Sequence, residues 1–375
     1  MTSGLNIKII TVYPYPKRGG CFRQVCAAIE GIASAGGEVH YLSAKPFPVK
    51  HGKRIMFHRF PFHSDSEMLF YPLFYLLSPI FLFYVVRKHN IRKALVFNEE
   101  FAAIFFLAKI YPGIKILLHI QGDMASLIRS KKMNPLAAFF LRLYGKAGIL
   151  ISDRVWAVSC DLIKRIGRYY GIQKQISCLY NAVPKNGLLL AECRNLRERY
   201  RIGDGKFIIG FIGSLIPRKN AAYLVEEFGR VPSGDKTLLI VGGGPDKADL
   251  CALGSSVCGK DAIVFAGEPE DYLDIAKSLD ILVLPTLHDD CPRIILECLG
   301  LGTPVIASNT GGIPEILKYD ELMFNPLEKG ALEKKLERMI KDPSYLAEIK
   351  KLCSERKPFF DKDWGEEIVR LVKEN

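Results

Sequence analysis

The sequence predicts an α/β protein made of two Rossmann-like domains. Short apolar runs alternate with longer mixed segments along nearly all of the 375 residues, and that rhythm breaks once, around residues 181–205. Several runs, Ile281-Leu-Val-Leu284 among them, contain no polar residue. Unbroken runs mark strands covered by helices on both faces, as in parallel sheets. The length exceeds one ordinary domain and suits two.

Taken in order, strands are expected at 7–13, 39–43, 94–98, 114–120, 154–158 and 175–180 in the first half. The second half offers 207–213, 237–242, 262–266, 281–285 and 304–308. The break holds Pro184, Asn186 and Gly187, then a short charged helix, then Gly203 and Gly205. These signals divide the chain into a domain at 1–185, a linker at 186–205 and a second domain at 206–345. Residues 346–375 read as helices with aromatic anchors at Phe359, Phe360 and Trp364, able to cap their own domain or to cross back onto the first.

Composition narrows the class. Hydrophobic residues at 49% and charged residues at 25% let both halves bury a core and exclude disorder. The ten cysteines stand singly, without a Cys-x-x-Cys pair or zinc spacing, so reduced thiols are expected. No charged segment precedes the first strand, so a cytoplasmic protein without a signal peptide is expected. The net charge of +12 is uneven: residues 1–190 hold 26 Lys+Arg against 9 Asp+Glu, and residues 191–375 hold 26 against 31. A basic first half suits an anionic partner. No nucleic-acid-binding motif is legible, which favours an anionic membrane surface over nucleic acid. Residues 69–86 carry no charge and contain two prolines. By length they qualify as a span, but the two prolines and the strand–helix series resuming at Ala94 argue against one; a helix buried in or against the first domain and a partly exposed interfacial surface fit equally.

The richest stretch for chemistry is 288–317. It follows strand 281–285 and therefore lies at the carboxyl edge of a parallel sheet, where open α/β folds bind ligands. Asp289 and Asp290 precede a helix that Pro292 helps to start, and its free N–H groups suit a diphosphate. Glu297, a turn or so into that helix, can accept hydrogen bonds from vicinal ribose hydroxyls. Gly311 and Gly312 open another helix near the same edge.

This stretch resembles the signature of glycosyltransferase family 4, the group 1 glycosyl transferases. The signature has two acidic residues separated by seven, a Gly-Thr-Pro-Val-Ile strand and a Gly-Gly-x-Pro-Glu turn. Asp289 and Glu297 hold the acidic positions, and 302–306 and 311–315 match the rest. The resemblance implies the GT-B fold, two Rossmann-like domains facing a central cleft, with the first taking the acceptor and the second the nucleotide sugar. Gly213-Ser214-Leu-Ile-Pro-Arg218-Lys219-Asn220 is similar to the family's Gly-Arg-Leu-x-x-x-Lys-Gly, so Lys219 is expected on the donor diphosphate. Ser214 replaces the usual arginine, and Arg218 is a candidate substitute. Gly242-Gly-Gly244-Pro matches a strand end, and 265–269, with Gly267, sits where that fold meets the base. Asp290, Cys291, Pro292, Arg293 and Ile294 complete the donor segment. Gly19 and Gly20 resemble the glycine-rich loop after the first strand, Tyr180-Asn-Ala-Val183 the turn before the linker, and 360–364 the start of a crossover helix.

Where the family often has His-Gly near the donor sugar, this chain reads Leu118-His-Ile-Gln-Gly-Asp123. Gln121 holds that position, and His119, two residues earlier on one strand face, is the alternative. The expected catalytic set is therefore Lys219, Asp289, Gln121 and His119. The resemblance implies retention at the anomeric carbon. No cofactor is expected beyond the nucleoside-diphosphate sugar. Asp361-Lys-Asp363 has metal-site spacing but reads as a solvated turn, so no metal is expected. The acceptor is expected to be a saccharide or a lipid-linked saccharide. The weighed alternatives are a GT-B epimerase or phosphorylase, an inactive partner of the same fold, and an NAD-dependent oxidoreductase. The last needs a Gly-x-Gly-x-x-Gly that the first strand does not offer.

Overall fold

The computed structural model describes residues 7–15, 19–49, 52–62, 67–110, 113–122, 124–125, 128, 133–183, 188–232, 235–258 and 262–375. The chain divides into two compact units: 1–181 with 363–375, and 182–362.

Unit 1 runs β1 (Lys8–Val12), α1 (Gly20–Ser34), β2 (Glu38–Ser43), β3 (Ile55–Arg59), α2 (Glu67–His89), β4 (Lys93–Phe97), α3 (Glu99–Ala102), β5 (Lys115–Ile120), α4 (Pro135–Ile151), β6 (Arg154–Ala157), α5 (Cys160–Tyr170) and β7 (Ser177–Cys178). Unit 2 continues with α6 (Leu196–Tyr200), β8 (Phe207–Ile212), α7 (Ala221–Arg230), β9 (Lys236–Val241), α8 (Lys247–Val257), β10 (Ile263–Gly267), α9 (Tyr272–Lys277) and β11 (Ile281–Leu284). It ends with α10 (Arg293–Leu301), β12 (Val305–Ser308), α11 (Ile313–Leu317), β13 (Met323–Phe324), α12 (Ala331–Lys341) and α13 (Pro343–Phe360). The last helix, α14 (Trp364–Glu374), belongs to unit 1.

The first sheet has the order β3-β2-β1-β4-β5-β6-β7 and the second β10-β9-β8-β11-β12-β13. Every pairing is parallel, as the apolar runs require. Strand order reverses beside β1 and β4 in one sheet and beside β8 and β11 in the other. In each sheet the switch point lies at the carboxyl ends of the central strands, where open α/β folds bind ligands. Two edge strands were not expected from the sequence. β3 ends in His58 and Arg59 and is half-exposed, so it lacks an unbroken apolar run, and β13 is only two residues long.

Residues 188–205, expected to be linker, are built into unit 2. Asp274 of α9 accepts from the Glu192 backbone N–H and from Arg194 Nε, both at 2.9 Å, and Lys277 Nζ donates to the Ala191 carbonyl at 2.8 Å. The expected C-terminal segment also divides differently: α13 stays with unit 2, and only α14 docks on unit 1. There Trp364 is fully buried and its Nε1 donates to the Gln24 carbonyl of α1 at 2.9 Å. A Cβ on Gly31 of α1 would stand 2.5 Å from the Gly365 Cα, so the two helices touch backbone to backbone. Lys93 Nζ donates to the Val372 carbonyl at 2.6 Å. Asp363, of the Asp-x-Asp spacing, caps α14 by accepting from the Glu366 N–H at 3.1 Å.

α2 contains the uncharged stretch, with Pro72 and Pro79 inside it. Phe70, Phe74, Leu82, Val85 and Val86 are buried, whereas Leu76, Ile80 and Tyr84 are each more than half exposed. The helix therefore packs one face into unit 1 and turns the other outward. α4 does likewise: Leu136, Phe139, Phe140 and Leu143 are more than half exposed, at the spacing of one helical face. The two helices meet where the Tyr75 and Tyr144 rings lie 4.7 Å apart.

Candidate functional site

In unit 2 the two central strands deliver the charged groups. The loop after β8 carries Gly213, Ser214 and the turn Pro217–Lys219, and the loop after β11 carries Thr286 to Asp289. The loops are bonded to each other: the Arg218 carbonyl accepts from the Leu287 N–H at 2.8 Å and from Thr286 Oγ1 at 3.0 Å. Lys219 Nζ forms an ion pair with Asp289 Oδ2. Arg218 Nη1 lies 3.4 Å from the same oxygen and donates to the His288 carbonyl at 2.6 Å. Arg218 thus joins Lys219 at the carboxylate. Burial raises the Asp289 pKa, but the Lys219 and Arg218 charges outweigh it and hold the carboxyl below its ordinary range.

The loop after β12 lies on this pair. The Gly312 N–H donates to the Asp289 carbonyl at 3.0 Å. Gly311 has φ +58°, and a Cβ there would stand 2.2 Å from that carbonyl, so only glycine fits. The loops after β9 and β10 close the same edge. The Gly242 N–H donates to the Gly267 carbonyl at 2.6 Å, and the Leu215 N–H to the Gly243 carbonyl at 2.8 Å. At Gly244, φ +153°, a Cβ would meet the Leu215 carbonyl at 2.2 Å. Backbone thus lines an edge where larger residues would stand.

Pro292 caps α10, and Arg293 opens it. Glu297, one turn on, is 3% exposed, and its Oε1 accepts from Arg293 Nη2 at 3.0 Å and from the Tyr272 hydroxyl at 2.9 Å. Arg293 Nε and Nη1 are buried with no hydrogen-bond partner among the described residues. Orphaned guanidinium donors beside a helix N-terminus suit an anion. Asp290 is buried with its Oδ1 3.2 Å from His288 Nε2. Cys291 and Ile294 are buried apolar neighbours. Tyr272, which fixes Glu297, was not foreseen: nothing in its local sequence marks it.

In unit 1, Gly19 precedes α1 and accepts from the Arg23 N–H, and Gly20 begins the helix. Residues 16–18 of that loop lie outside the described residues. His119 is 1% exposed. Its Nδ1 lies 2.7 Å from Gln121 Nε2 and its Nε2 3.1 Å from the Leu179 carbonyl, which makes Nε2 the protonated nitrogen. Its ring is 5.2 Å from Trp364 and 6.1 Å from Phe97. Burial lowers its pKa to about 4, so it is neutral. His119 is thus a core residue that orients Gln121, and Gln121, at the strand end, is the half-buried member of the pair. Next to it stand buried carboxylates that the sequence reading passed over. Glu99 accepts from the Tyr170 hydroxyl at 3.0 Å, and Glu100 follows it at the carboxyl end of β4. Paired acids directly after a strand were the available signal.

Two Rossmann-like units, with a cation pair and a glycine-lined edge at the switch point of the second, have the GT-B fold. The chain matches, over residues 206–342, the family model described as Glycosyl transferases group 1. It is 26% identical over 314 residues to N-acetyl-alpha-D-glucosaminyl L-malate synthase of Bacillus anthracis, covering 82% of this chain and 80% of the relative. It is 29% identical over 168 residues to 2-deoxystreptamine glucosyltransferase of Streptomyces kanamyceticus, 43% of each chain. Among solved structures, sucrose-phosphate synthase from Thermosynechococcus elongatus superposes with a TM-score of 0.81 at 18% identity, over 98% of this chain and 99% of that one. Anabaena Alr3699/HepE in complex with UDP-glucose gives 0.75 at 16% identity, over 98% and 99%.

Proposed function

We propose that this glycosyltransferase moves a hexose, with retention, from a nucleoside-diphosphate sugar to a hydroxyl of a saccharide or lipid-linked saccharide in cell-surface polysaccharide synthesis. The observation that carries the reading is Lys219 and Arg218 converging on Asp289 at the switch point of unit 2. A bound diphosphate takes the two cations from Asp289. The orphaned donors of Arg293 and the α10 N-terminus add to them, and Glu297 takes the ribose hydroxyls through Oε2. As the anomeric C–O bond breaks, these groups stabilise the charge growing on the diphosphate. The acceptor oxygen bonds to the anomeric carbon on the same face, and its proton passes to the departing phosphate oxygen. Asp289 contacts the donor sugar.

No metal takes part, because Lys219, Arg218 and Arg293 supply the positive charge. The first unit takes the acceptor, and the enzyme works in the cytoplasm, peripheral to the inner face of the membrane. The exposed faces of α2 and α4 on the basic unit support that placement.

Thermal-shift titration with UDP-, GDP- and ADP-sugars tests the reading. One of them should stabilise the protein, and the same donor should turn over with added acceptor in EDTA at 25 °C. Stabilisation by none of them refutes donor use. Turnover that chelation abolishes and magnesium or manganese restores refutes the metal-free mechanism.

A further inference from the structure

Unit 1 gathers His40 of β2, His58 of β3 and His89 at the end of α2. One nitrogen from each imidazole lies within 4.8 Å of the other two. His40 and His58 share a sheet face, with His40 Nδ1 2.8 Å from His58 Nε2. The His40 and His89 rings are 4.6 Å apart, and those of His58 and His89 are 5.3 Å apart. His40 is fully buried, and the other two are half-buried.

Two nitrogens on a tetrahedral zinc with bonds of about 2.0–2.1 Å stand roughly 3.3 Å apart. A separation of 2.8 Å therefore needs only about half an ångström of opening to admit an ion. The outer support is already in place. Glu38 Oε1 lies 2.9 Å from His40 Nε2 and is itself held by Lys8 Nζ at 3.1 Å. A carboxylate on Nε2 fixes the proton there and turns Nδ1 toward the metal, the usual support behind a histidine ligand.

We propose that His40, His58 and His89 form a zinc site with three protein ligands, a water in the fourth position and Glu38 as the outer support. The ion joins the end of α2 to the edge strand β3 and its neighbour β2. The site takes no part in transfer, because its ligands belong to the wall of unit 1 and not to the charged edge of unit 2. No spacing pattern announces it, since the three histidines stand 18 and 31 residues apart in sequence.

The test uses the full chain, stripped with a chelator and titrated with zinc against a chromophoric competitor after alkylation of the cysteines. One equivalent should bind at micromolar affinity or tighter, and the thermal midpoint should rise. His89→Asn, at the half-buried helix end, should lose the site. Glu38→Gln should weaken it by roughly ten- to a hundredfold. Absence of zinc binding by the wild type leaves a plain histidine pair and overturns the proposal. So does one equivalent retained at full affinity in His40→Gln, His58→Gln and His89→Asn alike. Turnover at 25 °C should be the same with and without zinc. Zinc-dependent turnover would give the ion a catalytic role and overturn the structural one.

Discussion

Lys219 and Glu297 are each tied to residues of their own unit, yet by different kinds of bond. Lys219 is paired to Asp289 from another loop, so its ammonium moves when a stronger anion arrives. Glu297 is anchored on its own helix by Arg293 and, from α9, by Tyr272. Replacing either by alanine removes a charge-assisted hydrogen bond in a desolvated site, worth about 1.5–3 kcal/mol, or about ten- to a hundredfold in donor use. Steady-state kinetics, with circular dichroism as the check on folding, should show that loss. Near-normal kinetics in both variants would remove the donor site from this edge. His119 makes a different prediction. The folded protein holds it neutral down to about pH 4, whereas in the unfolded chain it takes a proton near pH 6.5. Its depressed pKa means that its contribution is complete above about 6.5 and is lost as the pH falls toward 4. Between pH 7 and pH 5 the cost is about 2 kcal/mol. His40 and His58 shift the same way, so the comparison is between wild type and His119→Gln by urea unfolding. An equal loss in both proteins refutes the assignment.

Among the elements, α2 and α4 carry the least settled surface. An exposed phenylalanine that enters a bilayer gains roughly 1.5–3 kcal/mol, and each basic group near an anionic surface adds about 1 kcal/mol. The full chain should sediment with anionic vesicles at low salt, and high salt should reverse this in part. Phe139→Ser with Phe140→Ser should weaken partition by about tenfold or more per site. A wild type that stays in solution beside such vesicles works on a soluble acceptor. The sequence made the central strands legible, because β8 and β11 are continuous apolar runs and β1, β4, β5 and β9 carry only one or two polar residues each. The charged, glycine-lined edge of unit 2 was legible too, since glycine, proline and acidic residues there sit at fixed offsets that the backbone demands. Tyr272 and the histidine cluster were not, because tertiary contact and no local pattern brings them together. The outward stripe of α4 was legible in principle. Leu136, Phe139, Phe140 and Leu143 repeat at helical spacing, but the same spacing describes a buried face.

For the whole molecule, α14 is the element that makes unit 1 discontinuous. Trp364 fills the space between α1 and the His119 ring, so Trp364→Ala should cost about 3–5 kcal/mol in unit 1. Thermal unfolding should show the loss as a lowered first transition that donor sugar does not restore. A single transition at the wild-type midpoint would mean that α14 is dispensable to the unit.

The same feature sets a timetable for synthesis. Residues 182–362 separate the body of unit 1 from the helix that completes it. At about 5–20 residues per second, a ribosome spends on the order of 10–40 s between the two. Throughout that interval the groove for Trp364 on α1 is open to water and to any chaperone near the exit tunnel. Unit 2, contiguous and later in the chain, can finish folding before unit 1 does, which inverts the usual order in which domains mature during translation.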